Sequence, residues 1–242
     1  MSGLKQLKRY QKELGYSYSF GVFPTLELLA HQPEQVQRVV AHSKGEKSSG
    51  VAKLRDLCAA RSIPFETNDR AVERLSHKGN SYVFGVFDKY DAPLEPKSNH
   101  LLLVNPSDNG NLGTIARTML AFETCDLALL EPAVDIFNPH VVRASMGATF
   151  ALRTSYFESL EAYRTAFSHT LYPFMLGASQ QLQDVRFSAP YTLVFGPEGA
   201  GLPTEYADVG KSVVIPQSPA VESLNLAVAV GVALYETGRT AR

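Results

Sequence analysis

The sequence predicts an α/β protein: a small α/β domain over residues 1–95, linker included, then a larger one over residues 96–242. The larger one is expected to be a mostly parallel sheet with helices on both faces. Three observations carry this. Apolar six-residue stretches such as "HLLLVN", "DLALLE" and "YTLVFG" alternate with longer helical patterns, and strands this apolar need cover on both faces. The stretch "DKYDAPLEPKSNH", with its prolines and charges, reads as a linker and puts a boundary near residues 91–99. With 45% hydrophobic and 19% charged residues in 242, the chain has enough apolar material for a substantial core.

At the start, "MSGLKQLKRYQKEL" places Lys5, Lys8, Arg9 and Lys12 at helical spacing, a basic face open to two readings: a solvated surface or an RNA-phosphate contact. No apolar stretch follows it, so it does not read as a secretory signal. Next come "PTLELLAHQ" as helix, "VQRVVAHS" as strand, "GVAKLRDLCAARS" as amphipathic helix, "IPFETN" as strand, "AVERLS" as short helix and "SYVFGVF" as strand. Beyond the linker the strands are "HLLLVN", "DLALLE", "ATFALRT", "LYPFMLGA", "YTLVFG" and "KSVVIP". Helices are expected at "LGTIARTMLAF", "HVVRASMG" and "LEAYRTAFSHT", and the apolar run Leu224–Tyr235 closes the chain.

Several classes of function fall away. A net charge of -1 means that any nucleic-acid surface has to be local. Cys58 and Cys125 sit in apolar contexts and suit buried thiols of a reducing cytoplasm, not a disulfide framework. The six histidines show no ligand spacing, so no metal site is expected. The run Leu224–Tyr235 falls short of the roughly 20 residues that cross a bilayer. A cytoplasmic protein with no membrane partner is the expectation.

In a parallel sheet, function gathers beyond the carboxyl ends of the strands. Four such junctions are rich in Gly, Asn or Ser. "NPSDNGNLGTIARTMLAF" offers Asn111 and Arg117, with the helix expected from about Leu112; Arg117 falls among Ile115, Ala116, Met119 and Leu120, where a solvated charge is not expected. "YTLVFGPEGAGLP" clusters Gly196, Gly199 and Gly201 around Glu198, and lacks the Lys-Ser/Thr of a Walker loop. "PQSPAVESLNLAVAVGVALYE" puts Ser223 and Asn225 at the mouth of the apolar run, Ser223 being a candidate helix cap. "NPHVVRASMGATF" offers Arg143 and Ser145.

In order and spacing, "NLGTIARTMLAF", "LVFGPEGAGL" and "IPQSPAVESLNLAVAVGVALYE" resemble the three motifs of the SpoU (TrmH-type) RNA 2′-O-ribose methyltransferases of the SPOUT superfamily. The likeness spans roughly residues 100–240; the first hundred residues more loosely resemble the L30-like RNA-binding domain that precedes it in several members. The resemblance implies a C-terminal trefoil knot, a homodimer formed through the C-terminal domain, and S-adenosyl-L-methionine held in the knot loops. It implies catalytic or orienting roles for Asn111, Arg117, Glu198, Ser223 and Asn225, and cofactor contacts at Gly196, Gly199, Ile215 and Leu224, with Leu176 added. RNA contacts would fall to Arg117 and Arg143 and to the basic start. Glu123 stands where a glycine commonly ends the first motif, Gln217 replaces a common methionine, and Ala227 a common serine.

The implied activity is methylation of a ribose 2′-hydroxyl, in ribosomal RNA by preference over tRNA. Two alternatives stay open: a non-catalytic RNA-binding member of the same fold, and an unrelated α/β nucleotide-binding enzyme.

Overall fold

The computed structural model describes residues 7–76 and 81–240, so Lys5 and His77 lie outside the described residues. In chain order the strands are β1 (Tyr16–Phe20), β2 (Val36–Ala41), β3 (Phe65–Thr67), β4 (Val83–Asp88), β5 (His100–Val104), β6 (Asp126–Leu130), β7 (Arg153–Phe157), β8 (Thr170–Pro173), β9 (Gln180–Gln181), β10 (Tyr191–Phe195) and β11 (Val213–Val214). The helices are α1 (Val22–His31), α2 (Ser49–Ala60), α3 (Asp69–Leu75), α4 (Asn109–Ala121), α5 (Pro139–Ala144), α6 (Leu160–Ala166) and α7 (Leu226–Thr240). They form two compact units: Met1–Tyr90 with Asp135–Ala151, and Asp91–Val134 with Leu152–Arg242.

The break after Tyr90 falls at the expected linker. The return of residues 135–151 to the first unit does not follow from the sequence reading, which leaves them in the second domain. Aromatic packing draws them back: Phe137 and Phe150 set their rings edge-on to Phe87 at 5.7 and 5.0 Å. Polar ties join in. Ser17 donates to the Phe137 carbonyl at 2.5 Å, and Asp135 accepts from the Tyr10 hydroxyl and from Lys89 Nζ, both at 2.6 Å.

The first unit's sheet has the order β1-β4-β2-β3, antiparallel except for the β2–β3 pair. β1, "YSYSF", escapes the sequence reading because its serines make it look half-polar. Both serines are buried yet satisfied: Ser17 as above, and Ser19 by Thr25 at 3.0 Å and the Gly85 N–H at 3.1 Å. Tyr18 and Phe20 face the other way, into a core with Val40, Val72 and Phe84. The basic helix expected near the start is absent over its described part: residues 7–11 are irregular, while Lys8, Arg9 and Lys12 are exposed. The backbone there is spoken for, since Lys8 N–H donates to the Tyr16 hydroxyl at 3.0 Å and the Lys8 carbonyl accepts from Tyr18. Those bonds replace a helical ladder.

In the second unit five strands run in the order β7-β6-β5-β10-β8, every neighbour parallel. Every residue of β5 and β6 is buried, as a sheet covered on both faces requires. From β5 the chain steps outward through β6 and β7, then returns on the other side through β8 and β10. The β5–β10 boundary is therefore a topological switch point, where the loops leaving the two strands part and open a crevice.

Three expected strands shrink, the first being "LYPFMLGA", which stops as β8 at Pro173 and leaves Leu176 beyond the strand. "KSVVIP" yields only β11, parallel to β9. "ATFALRT" divides: Ala148–Ala151 is a tight 3-10 turn of the first unit, and β7 starts only at Arg153. Helix α4 starts at Asn109, ahead of the expected Leu112, because Asp108 caps it by accepting from the Asn111 N–H at 2.7 Å. Its other end closes with Glu123 N–H to the Leu120 carbonyl (3.2 Å) and Thr124 N–H to the Met119 carbonyl (3.0 Å). That pairing is a Schellman motif and requires a left-handed residue, here Glu123 at φ 57°. A side chain there costs about 1 kcal/mol, partly offset by the lower entropy of a non-glycine unfolded chain. Glu123→Gly should therefore raise the unfolding free energy by up to about 1 kcal/mol in urea denaturation.

Candidate functional site

A cavity of about 360 Å³ lies in the second unit. Its walls come from the segment after β8 (Phe174–Gly177), the loop after β10 (Gly196–Leu202), the segment around β11 (Val214, Ile215, Gln217) and the start of α7 (Ser223, Leu224, Leu226, Ala229). Leu176, Gly196, Gly199, Ile215 and Leu224 all line it, and so do Glu198 and Ser223. Phe174 and Phe195, which sequence reasoning does not single out, also line it and stack at 4.3 Å with 12° between rings. Their only signal is an aromatic at or just beyond the carboxyl end of a parallel strand.

Glycine is obligatory at one point of this wall. A Cβ on Gly196 would stand 2.3 Å from the Gly201 carbonyl carbon and 2.4 Å from Leu202 N, so the loop can double back on itself only there. Gly199 and Gly201 then carry positive φ of 88° and 68° through the turn.

Beside the cavity a directional chain of hydrogen bonds joins three loops. The Ala227 and Val228 N–H groups open α7 and donate to Asn225 Oδ1 at 2.9 and 3.4 Å. Asn225, not Ser223, is the cap. Because its oxygen is taken, Asn225 must present its amide nitrogen to Asn111, and Nδ2 donates to Asn111 Oδ1 at 3.1 Å. Asn111 is turned in the same sense, its Nδ2 donating to Glu198 Oε1 at 3.1 Å. Ser107 Oγ donates to the other carboxylate oxygen at 3.4 Å. A carboxyl that accepts on both oxygens is in the ionised pattern. Ser107 is a member of this chain that the sequence reading misses; its one signal is a hydroxyl in the loop leaving β5, next to the capping Asp108.

Three of the five expected polar residues, Asn111, Glu198 and Asn225, thus meet directly. Ser223 is exposed and joins only as cavity wall. Arg117 lies on α4 but is exposed: Ile115, Ala116 and Met119 turn inward, and the arginine turns outward on the helical period. Asn111 is not in a loop before the helix; it sits in the first turn of α4. Arg143 and Ser145 belong to the first unit. Arg143 is exposed, whereas Ser145 is buried, with its hydroxyl donating to the Val142 carbonyl at 3.0 Å and accepting from Gly147 N–H at 3.2 Å. Its role is to hold a turn. Among the described residues no group of three or more His, Cys, Asp or Glu could hold a metal ion, and no helix is long and apolar enough to cross a membrane.

Residues 98–235 match the model of the SpoU rRNA Methylase family. The chain belongs to this family. An uncharacterized tRNA/rRNA methyltransferase of Synechocystis is 40% identical over 144 residues, covering 57% of this chain and 52% of the relative. A 23S rRNA (adenosine(1067)-2′-O)-methyltransferase of Streptomyces laurentii is 33% identical over 135 residues, covering 54% of this chain and 50% of the relative. The matched part thus spans about half the length of these curated relatives. Among solved structures, the AdoMet-bound rRNA methyltransferase from Sinorhizobium meliloti superposes with a TM-score of 0.78 at 26% identity, covering 93% of this chain and 87% of that one. The matched SpoU region contains the cavity and its hydrogen-bond chain.

The near-isosteric change Asn225→Asp keeps the acceptor for α7 but deletes the donor to Asn111. It should lower the unfolding free energy by about 1 kcal/mol, and a double-mutant cycle with Asn111→Ala should show most of that loss as coupling.

Proposed function

We propose that this SpoU-family chain is an S-adenosyl-L-methionine-dependent RNA methyltransferase acting on a ribose 2′-hydroxyl, with ribosomal RNA as its substrate in preference to tRNA. One observation carries the reading: two motifs far apart in sequence wall one cavity, and Asn111 of a third joins them in the hydrogen-bond chain at its edge. The preference for ribosomal RNA rests on the two-unit layout and on the Sinorhizobium rRNA methyltransferase, which covers 93% of this chain. The first unit is then an L30-like RNA-binding domain, with Arg143, Lys5, Lys8, Arg9 and Lys12 as phosphate contacts. A C-terminal trefoil knot and a cytoplasmic location belong to the same proposal.

The residues present suit the cofactor. The lining combines aromatic and aliphatic side chains with the backbone of a glycine loop, which fits an adenosine moiety, and the volume is in the usual range for a small-ligand site. Gly196, Ile215 and Leu224 would hold the adenosine, with Leu176 and Gly199 closing the sides. The ionised Glu198 at the wall favours a cationic sulfonium. Bound there, S-adenosyl-L-methionine supplies an electrophilic methyl group.

Arg117 is the group we assign to the RNA. A guanidinium stays protonated at any working pH, so it is a poor proton acceptor and a good bidentate donor to phosphate. Arg117 therefore clamps an RNA phosphate, which takes the 2′-hydroxyl proton, and stabilises the developing alkoxide; an O–CH3 bond would form as the donor's S–CH3 bond breaks, leaving the neutral thioether. Exposure is what that task demands. Asn111, Glu198 and Asn225 act as positioning residues, and Ser223 closes the lip.

Self-association is assigned to α7. Val228, Val232 and Tyr235 lie four and three residues apart on one face and are 52%, 38% and 61% exposed, with the Phe122 ring edge-on to Tyr235 at 6.3 Å. An apolar stripe of this kind on a helix suits a second copy of the chain. Val232→Glu should shift the protein to monomer in sedimentation velocity.

With labelled S-adenosyl-L-methionine and total RNA, label should appear on ribose. Label on bases would overturn the 2′-O assignment, RNA binding without transfer would favour the non-catalytic reading, and affinity for nucleoside triphosphates in its place would favour an unrelated enzyme. Arg117→Ala should reduce transfer by at least about a hundredfold while leaving cofactor affinity in calorimetry within about threefold. Gly196→Ala should remove cofactor binding.

A further inference from the structure

At the end of the sheet opposite the cavity, four side chains form a closed series between two backbone carbonyls. His100 Nε2 lies 2.9 Å from the Glu95 carbonyl, and His169 Nε2 lies 2.9 Å from the Pro96 carbonyl. Between the rings run three further links: His100 Nδ1 to the Tyr163 hydroxyl at 2.7 Å, Tyr163 to the Thr192 hydroxyl at 2.6 Å, and Thr192 to His169 Nδ1 at 3.0 Å. His100, Tyr163 and Thr192 are fully buried, and the two imidazoles lie 4.3 Å apart.

Proton counting decides the state of this series. A carbonyl only accepts, so both Nε2 atoms carry hydrogen. In neutral imidazoles both Nδ1 atoms are then acceptors, and the two hydroxyls supply two protons for three links. One link is left with lone pairs facing each other. A single added proton, on either Nδ1, makes three protons for three links and satisfies every atom. A second would put four protons into three links and set two cations side by side.

We propose that His100, Tyr163, Thr192 and His169 form a clasp that binds one shared proton and with it fastens the linker segment Glu95–Pro96 to the base of the parallel sheet. His100 is enclosed, while His169 is half-buried. Burial holds the His100 imidazole below its ordinary range, His169 adds to that depression, and the bond to Glu95 opposes it. The other charged groups facing His100 are Asp126 on β6 and Arg153 on β7, which are bonded to each other at 2.7 Å; Tyr163 reaches it from α6 and Glu95 from the linker. The linker has further ties to the same place: Glu95 N–H donates to Asp126 at 2.8 Å, and Asn99 Oδ1 accepts from Tyr191 N–H at 3.1 Å.

The sign of the pH effect follows. His100 has a lowered folded-state affinity for protons, so its contribution to stability is present above the unfolded value of about 6.5 and is lost as pH falls through the folded value. The clasp therefore resists a second proton on His100, and amide exchange over residues 94–99 should be lowest where the pair carries one proton and should rise as that proton is lost with increasing pH.

Imidazole nitrogen NMR of the full chain, from about pH 8 to about pH 5, tests the count. Only one imidazole of the pair should gain a proton, with His100 keeping its Nε2–H neutral form. Tyr163→Phe deletes two of the three links and leaves Thr192 able to satisfy His169 unaided, so proton binding by the pair should weaken by at least about tenfold. Two imidazoles charging together above about pH 5, or a variant that titrates like the parent, would overturn the proposal. If Tyr163→Phe does not fold, the titration of the parent chain still decides.

Discussion

Two amide protons at the start of α7 govern the architecture of the site. They need an acceptor, Asn225 supplies it, and the orientation of every later group follows from that choice. An asparagine has one acceptor end and one donor end, so fixing the first fixes the second, and Asn111 passes the same constraint to Glu198. Three loops that leave different parts of the fold are thereby held in register by groups whose partners are not interchangeable. Reversing any one amide would bring oxygen to oxygen at its next neighbour.

The sheet makes that meeting possible. Because β5 and β10 are parallel neighbours, the segment that carries Ser107 into the first turn of α4, with Asn111, and the loop carrying Glu198 leave the sheet at the same edge. The cavity wall depends on the same edge, with Phe195 ending β10 and Gly196 turning the chain immediately after it. Rigid strands thus deliver flexible glycine backbone to a defined place, and a small number of side-chain bonds stop it from wandering.

Much of this was legible in the sequence. The apolar strands "HLLLVN", "DLALLE" and "YTLVFG" are β5, β6 and β10, and the five residues expected at a cofactor all line one cavity. What was not legible depends on contacts between distant segments. β1 reads as half-polar because the partners of Ser17 and Ser19 lie elsewhere in the chain. The basic start reads as a helix because spacing cannot reveal that Tyr16 and Tyr18 take up its backbone groups. The capping role went to Ser223 because both Ser and Asn are good caps, and only the fold shows which oxygen meets the amides. The histidines look scattered because His100 and His169 are 69 positions apart, and only the pairing of β5 and β8 with β10 brings them to two linked hydroxyls.

The first unit is assembled from two stretches of chain, with 44 residues of the second unit between them. A ribosome releases the chain in order, so this unit cannot close when residue 90 emerges. It waits for Phe137 and Phe150, and until then Phe87 lacks its aromatic neighbours. By that time β5 and β6 have already left the tunnel, but their sheet waits in turn for β8 and β10. Neither unit is finished before the other has begun, and a gene fragment ending at residue 90 encodes a surface with no lid.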